Sequence, residues 1–181
     1  MKKKPFYFVL LLTLLVSCNI WRIKDPEFAK NSTNENQPVE NMYQIKKEKF
    51  DFNSIIDTNC IYVAELELDE PDKNLFSFFR FSNKGVCFTS NNYERNITFF
   101  DYNFLKFGQY GRYKIDKKNK LTVEFYHPGY HTFLYWYGKV SDDRILFSRQ
   151  KYVSKFGGTN IEEYIYYKQK AKITEGLKFP K

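Results

Sequence analysis

The side chains able to hold a metal or to make and break bonds are few and scattered. His127 and His131 are the two histidines; they flank a Pro128-Gly129 turn, with Glu124 shortly before it. A zinc site takes three or four ligands from Cys, His or carboxylate, so this set is incomplete and no metal is expected. Carboxylates are paired at Asp69-Glu70, Asp142-Asp143 and Glu162-Glu163. Glycoside hydrolysis needs two carboxyls facing one bond, about 5–9 Å apart. The first two pairs fall in turns, and the third straddles an expected strand with its members on opposite faces, so all three read as solvated charge. No Gly-x-Ser-x-Gly, phosphate-binding loop or His-Glu-x-x-His occurs. No enzymatic activity and no cofactor are expected. Lys106-Phe107-Gly108-Gln109-Tyr110-Gly111 mixes basic, aromatic and glycine residues but is a poor match to an RNA-binding strand. No nucleic-acid partner is expected.

Cys18 stands in a different setting. Lys2, Lys3 and Lys4 precede an apolar run, Phe6–Val16, of 11 residues broken only by Thr13. A helix needs about 20 apolar residues to cross a bilayer, so the run is too short to span and reads as a secretory signal. It ends in Leu15-Val16-Ser17-Cys18, which resembles a bacterial lipobox. That resemblance implies a diacylglyceryl thioether on Cys18, cleavage before it, and acylation of the new amine. Two or more acyl chains hold a protein on a membrane stably where one does not. Residue 19 is Asn and no acidic cluster follows, which by resemblance to sorting rules implies the outer membrane, facing the periplasm. Cleavage removes three of the 29 basic residues and none of the 21 acids, leaving a net charge of +5.

Those residues need elements to place them. A chain of 181 residues has room for one domain with extensions. With 43% hydrophobic and 28% charged residues and a mean hydropathy of −0.59, it is neither disordered nor a multi-span membrane protein. Aromatics are 20%, which favours strands. Residues 1–17 form the signal and 18–49 a lipidated N-terminus and flexible tether. Its stretch Asn31–Pro38 is too polar to offset the entropy of ordering. Residues 50–170 form the domain and 171–181 a basic tail.

Within the domain, short aromatic and β-branched runs alternate with turn signals. The runs are Ile61–Leu68, Leu75–Phe81, Val86–Thr89, Tyr110–Ile115, Leu121–Tyr126, His131–Val140, Arg144–Gln150 and Ile161–Gln169. This spacing predicts an all-β fold: an antiparallel up-and-down meander of about eight strands closing into a barrel. Lys151–Phe156 and the region around Phe50–Ile56 are candidates for a further strand. Ile97, Phe100, Phe104 and Phe107 have helical spacing, which predicts one short helix near 96–106 capped by Asn96. In Leu121–Tyr126, Leu121, Val123 and Phe125 point one way. The partner strand puts Tyr113 and Ile115 inward, Arg112 and Lys114 outward. Leu75–Phe81 carries Phe on both faces, so it is covered twice or leaves an exposed patch. In a meander Cys60 and Cys87 lie two strand spacings apart, about 10 Å, beyond the ~7 Å reach of a disulfide; free buried thiols are expected.

Phe78–Val86, Gly111–Asp116 and Gly138–Ile145 resemble the hairpins of small bacterial lipoproteins with a lipocalin-like β-barrel, over roughly residues 60–169. The Gly-x-Trp strand signature of true lipocalins is absent. The resemblance implies a fold, not a reaction. Two functions follow as expectations. In the first, Phe79, Phe81, Tyr113, Val123, Phe125, Leu134 and Trp136 line a barrel that binds a small apolar or amphipathic ligand. In the second, they form a solid core, and a structural or accessory lipoprotein binds an envelope protein through its outer face. Either form is anchored to the membrane through Cys18.

Overall fold

The hairpin around Asp116–Lys120 shows how the sequence sets the sheet. Asp116 accepts the backbone N–H groups of Lys118 and Lys120 at 2.8 and 2.9 Å, and Asn119 takes the left-handed conformation at φ 61°, which Asn tolerates well. The strands on either side then pair Tyr113 with Val123 and Ile115 with Leu121 on one face, and Arg112 with Glu124 on the other, as their alternation predicts. Paired residues share a face, and a one-residue slip would expose the whole apolar set.

In this computed structural model the described residues are 28–30, 36–38, 42–46, 55–67, 74–92, 97–105, 108–128, 132–153 and 158–179. The signal segment, Cys18, Asp69-Glu70, Asn96, Phe107 and His131 lie outside them. A small ribbon pairs β1 (Phe28–Lys30) with β2 (Asn36–Pro38). The main sheet comprises β3 (Cys60–Glu67), β4 (Asn74–Phe81), β5 (Val86–Asn92), β6 (Gln109–Ile115), β7 (Lys120–His127), β8 (Thr132–Val140), β9 (Arg144–Val153), the two-residue β10 (Thr159–Asn160) and β11 (Tyr164–Lys170). Successive strands pair antiparallel, and β11 pairs with β9 on one side and β3 on the other. Eight strands thereby close into an up-and-down barrel; β10 is an extra rung on β9. Closure leaves no sheet edge open among these eight. Lys151–Val153 continues β9 and Ile55 and Ile56 sit in a bend, while the rest of these two candidate stretches, 50–54 and 154–156, lies outside the described residues.

The inner face is apolar and aromatic. Tyr62, Ala64, Phe79, Phe81, Cys87, Tyr113, Leu121, Val123, Phe125, Ile145, Phe147 and Tyr166 form one buried cluster. Ile56 joins it from the bend before β3.

A second core lies outside the barrel wall. Phe78, Val86 and Phe88 face outward, and Leu177 covers them, with Ile97, Tyr102, Leu105, Tyr110 and Phe179 packed around. The two-faced Phe pattern of β4 is explained by this double cover. Residues 171–179 are therefore docked on the wall through Leu177 and Phe179. At the other terminus Tyr43 and Ile45 are buried, 5% and 6% exposed. The expected flexible tether of 18–49 thus contains a paired ribbon and, at 42–46, a strap whose order comes from the burial of Tyr43 and Ile45.

The helix α1 spans Phe99–Asn103. Its cap is Thr98, not Asn96. The Thr98 hydroxyl accepts the Asp101 N–H at 3.4 Å, and the Asp101 carboxylate accepts the Thr98 N–H at 2.6 Å, a reciprocal capping box. Its aromatic residues divide between two faces. Tyr102 turns to the wall, whereas Phe100 and Phe104 stack on each other at 4.1 Å and are 59% and 49% exposed. The three-four spacing marked a helix but not the face it buries.

Candidate functional site

The seven residues expected to line a ligand chamber converge inside the barrel. Phe79, Phe81, Tyr113, Val123 and Phe125 belong to the buried cluster, and Trp136 packs against it. Leu134 is buried and pairs with Phe125 on the same face. Their rings are in mutual contact. Phe79 lies 4.9 Å from Tyr166, 5.3 Å from Phe147, 5.7 Å from Phe81 and from Phe125, and 5.8 Å from Trp136, centroid to centroid. These are edge, tilted and offset contacts in the range that aromatic pairs prefer. Tyr113 gives its hydroxyl to the Ser82 carbonyl at 2.7 Å and Tyr166 to the Ser77 hydroxyl at 3.0 Å. Burial raises both phenols well above the ordinary tyrosine value. The Trp136 indole N–H is buried with no acceptor among the described residues.

The groups considered for chemistry are employed elsewhere. His127 is half-buried, its ring 6.0 Å from that of Tyr152. The described residues hold no group of three His, Cys, Asp or Glu able to bind a metal. Asp142 and Asp143 occupy an exposed turn. Glu162 and Glu163 lie ahead of β11, exposed, and do not straddle a strand, because residues 161–163 run outside the ladder and pairing begins at Tyr164. Cys60 and Cys87 are buried free thiols. Burial, helped by a hydrogen bond to Asp57 at 3.1 Å, pushes the Cys60 thiol up to about 11, and burial pushes Cys87 well up too.

Glu124, which the sequence offers as an outward strand residue and as a member of an incomplete metal set beside the two histidines, has a larger part in the structure. It is 0% exposed. Its carboxylate accepts the N–H of Gln44 at 2.9 Å, the N–H of Ile45 at 2.7 Å and the Tyr135 hydroxyl at 2.7 Å. Arg112 stands beside it in the ladder, donating to the Lys84 carbonyl at 3.1 Å and lying over the Phe179 ring at 4.9 Å. Tyr43 adds a hydroxyl bond to the Tyr110 carbonyl at 3.0 Å and ring contacts to Phe133 and Phe179. The strap is thus locked onto the wall by a buried carboxylate. No local sequence signal marks it, because the two strap N–H groups that bind it come from about 80 residues away.

Two polar side chains lock the opposite segment. Arg80, 2% exposed, donates to the carbonyls of Tyr102 and Glu175. Asn103 donates to the carbonyls of Phe99 at 3.1 Å and Lys172 at 2.9 Å, and accepts from the N–H and hydroxyl of Thr174. Helix and tail are bound to the barrel as one unit. On that unit Phe99, Phe100 and Phe104 are presented to solvent, 45–59% exposed. Comparison with family models, with curated proteins and with solved structures found no match for the chain.

Proposed function

We propose that this chain is a membrane-anchored envelope lipoprotein, lipidated at Cys18 and held at the outer membrane facing the periplasm. Its solid-cored barrel serves as an accessory module that binds a protein partner through its outer face. The observation that carries the reading is the platform of Phe99, Phe100 and Phe104. Large exposed rings cost solubility, and contiguous apolar patches mark interaction sites. Here they are fixed by Arg80 and Asn103, so little ordering entropy opposes docking. The packing of Phe79 among its neighbours supports a core that supplies rigidity.

The test has two arms. Cys18→Ala should release the protein from the membrane fraction and abolish labelling by an alkyne fatty acid; unchanged labelling removes the anchor. A photo-crosslinking residue at position 100 should give one defined adduct in the envelope, lost on Phe104→Ser and absent with the crosslinker at position 117. Identical patterns at positions 100 and 117 would end the docking reading. A second reading, a small apolar ligand inside the barrel, is favoured by the Trp136 indole N–H, which a ligand acceptor would satisfy. Native mass spectrometry distinguishes the two: a co-purifying mass lost on Trp136→Phe supports the ligand.

A further inference from the structure

A cleft of about 940 Å³ opens on the outer surface where β6, β7, β8 and β9 run side by side. Its walls follow from the pairing. Lys114, Thr122, Tyr137 and Arg149 form one row across the four strands, and Lys120, Lys139 and Leu146 form the next. A bulge between Tyr137 and Gly138 leaves Ser148 as an extra residue on β9. Bulges re-aim side chains and bend the strand, and this one turns Ser148 and Arg149 into the cleft. The Arg149 guanidinium lies 4.3 Å above the Tyr137 ring, a cation–π contact that holds it in place.

The charge is one-sided. Lys114, Lys120, Lys139 and Arg149 are exposed cations on the lining. The acid in the lining is Asp116, whose carboxylate is engaged by the backbone of its own turn. Among the described residues no ion pair joins any of the four cations to a carboxylate. Between them lie the apolar side chains of Leu146 and Ile161, the latter 79% exposed. Clustered like charge raises the local concentration of counter-ions, and an apolar floor adds affinity for hydrocarbon.

We infer that this cleft binds an anionic amphiphile, a molecule with a phosphate or carboxylate head and an adjoining apolar chain. The head sits among Lys114, Lys139 and Arg149, where guanidinium and ammonium groups give charge-assisted hydrogen bonds. The chain lies along Leu146 and Ile161. The site depends on neither the lipid anchor nor the aromatic platform, so it goes beyond the function proposed above.

The test titrates the purified full chain with hexyl phosphate, inorganic phosphate and hexyl glucoside, following backbone amide shifts. Hexyl phosphate should shift Thr122, Tyr137 and Ser148 saturably. Inorganic phosphate, lacking the chain, should bind at least about tenfold more weakly, and hexyl glucoside, lacking the charge, should leave these amides unmoved. The exposed pair Lys139→Glu and Arg149→Glu, checked by circular dichroism, should weaken hexyl phosphate at least about tenfold. Should that pair misfold, Lys120→Glu alone should weaken it several-fold. Ile161→Asp should weaken hexyl phosphate and leave inorganic phosphate unchanged. Equal binding of hexyl phosphate and hexyl glucoside, equal binding of the two phosphates, or an affinity untouched by charge reversal would each overturn the inference.

Discussion

Replacing Glu124 with Ala removes the acceptor for two backbone N–H groups and a tyrosine hydroxyl. Hydrogen bonds to a charged group contribute about 1.5–3 kcal/mol each. Without them the strap at 42–46 must justify its order by burying Tyr43 and Ile45, about 1.5–3 kcal/mol apiece. Fixing five backbones costs roughly 5–10 kcal/mol. The apolar gain, about 3–6 kcal/mol in all, falls short over most of that range, so the strap should detach and its N–H groups turn to water. Release caps the global cost, which we place at about 3 kcal/mol, the low end for stranding a charge next to a buried partner such as Arg112. For a domain of this size that is a Tm lower by about 6–12 °C. Amide exchange at Gln44 and Ile45 should accelerate at least about a hundredfold, while exchange in the barrel strands changes only through the global term. Glu124→Gln, which keeps one carbonyl acceptor, should fall between Ala and wild type on both measures. A Tm within about 2 °C of wild type, or unchanged exchange at Ile45 in the Ala variant, would refute the latch.

Three further outcomes follow from burial and close packing. Burial pushes Tyr62 and Tyr164 up to about 12 and Cys60 to about 11, from ordinary values of 10 and 9. The unfolded chain therefore releases these protons first, so stability is full below about pH 9 and falls as pH rises toward 12; urea midpoints measured from pH 8 to 11.5 should decline monotonically, and a flat profile contradicts the buried phenols and thiol. At neutral pH neither Cys60 nor Cys87 should react with a disulfide reagent on the folded protein, and both should react in denaturant; prompt labelling of either in the native state would show an open wall. Gly111→Ala should destabilise by about 1–3 kcal/mol, because a Cβ there would meet the Glu124 carbonyl and the Phe125 ring at 2.6 Å, and a wild-type urea midpoint would mean β6 and β7 stand further apart.

What the sequence discloses about this fold divides by range. Strand parity is local, so the inward set from Tyr113 to Phe125 and the meander itself are readable from alternation and turns. Thr98 and Asp101 carry the capping box at the spacing such boxes use, whereas the aromatic spacing points two residues early, to Asn96. The bulge opposite Tyr137 has no mark in sequence, since Ser148 differs from its neighbours only in pairing. The outer cover is long-range: Leu177 reaches Val86 and Phe88, and Tyr43 reaches Phe133, across spans that periodicity does not sense. Even so, the Phe pattern of β4 demanded a cover on one face. Glu124 is the hardest case. Glutamate outward on a strand is ordinarily solvated, and only the arrival of Gln44 and Ile45 makes it a buried acceptor.

The strap also sets the path of mechanical load. The ring of Tyr43 lies 5.0 Å from that of Phe179, so leading and trailing segments meet on one flank. A pull on the chain ahead of residue 42 reaches the Glu124 carboxylate before it reaches β3. The tension is taken up in the middle of β7, a strand paired on both sides, and the seam between β3 and β11 that closes the cylinder is shielded from it. The arrangement works as a cable clamp, with the wall bearing the tug and the closing rungs left slack.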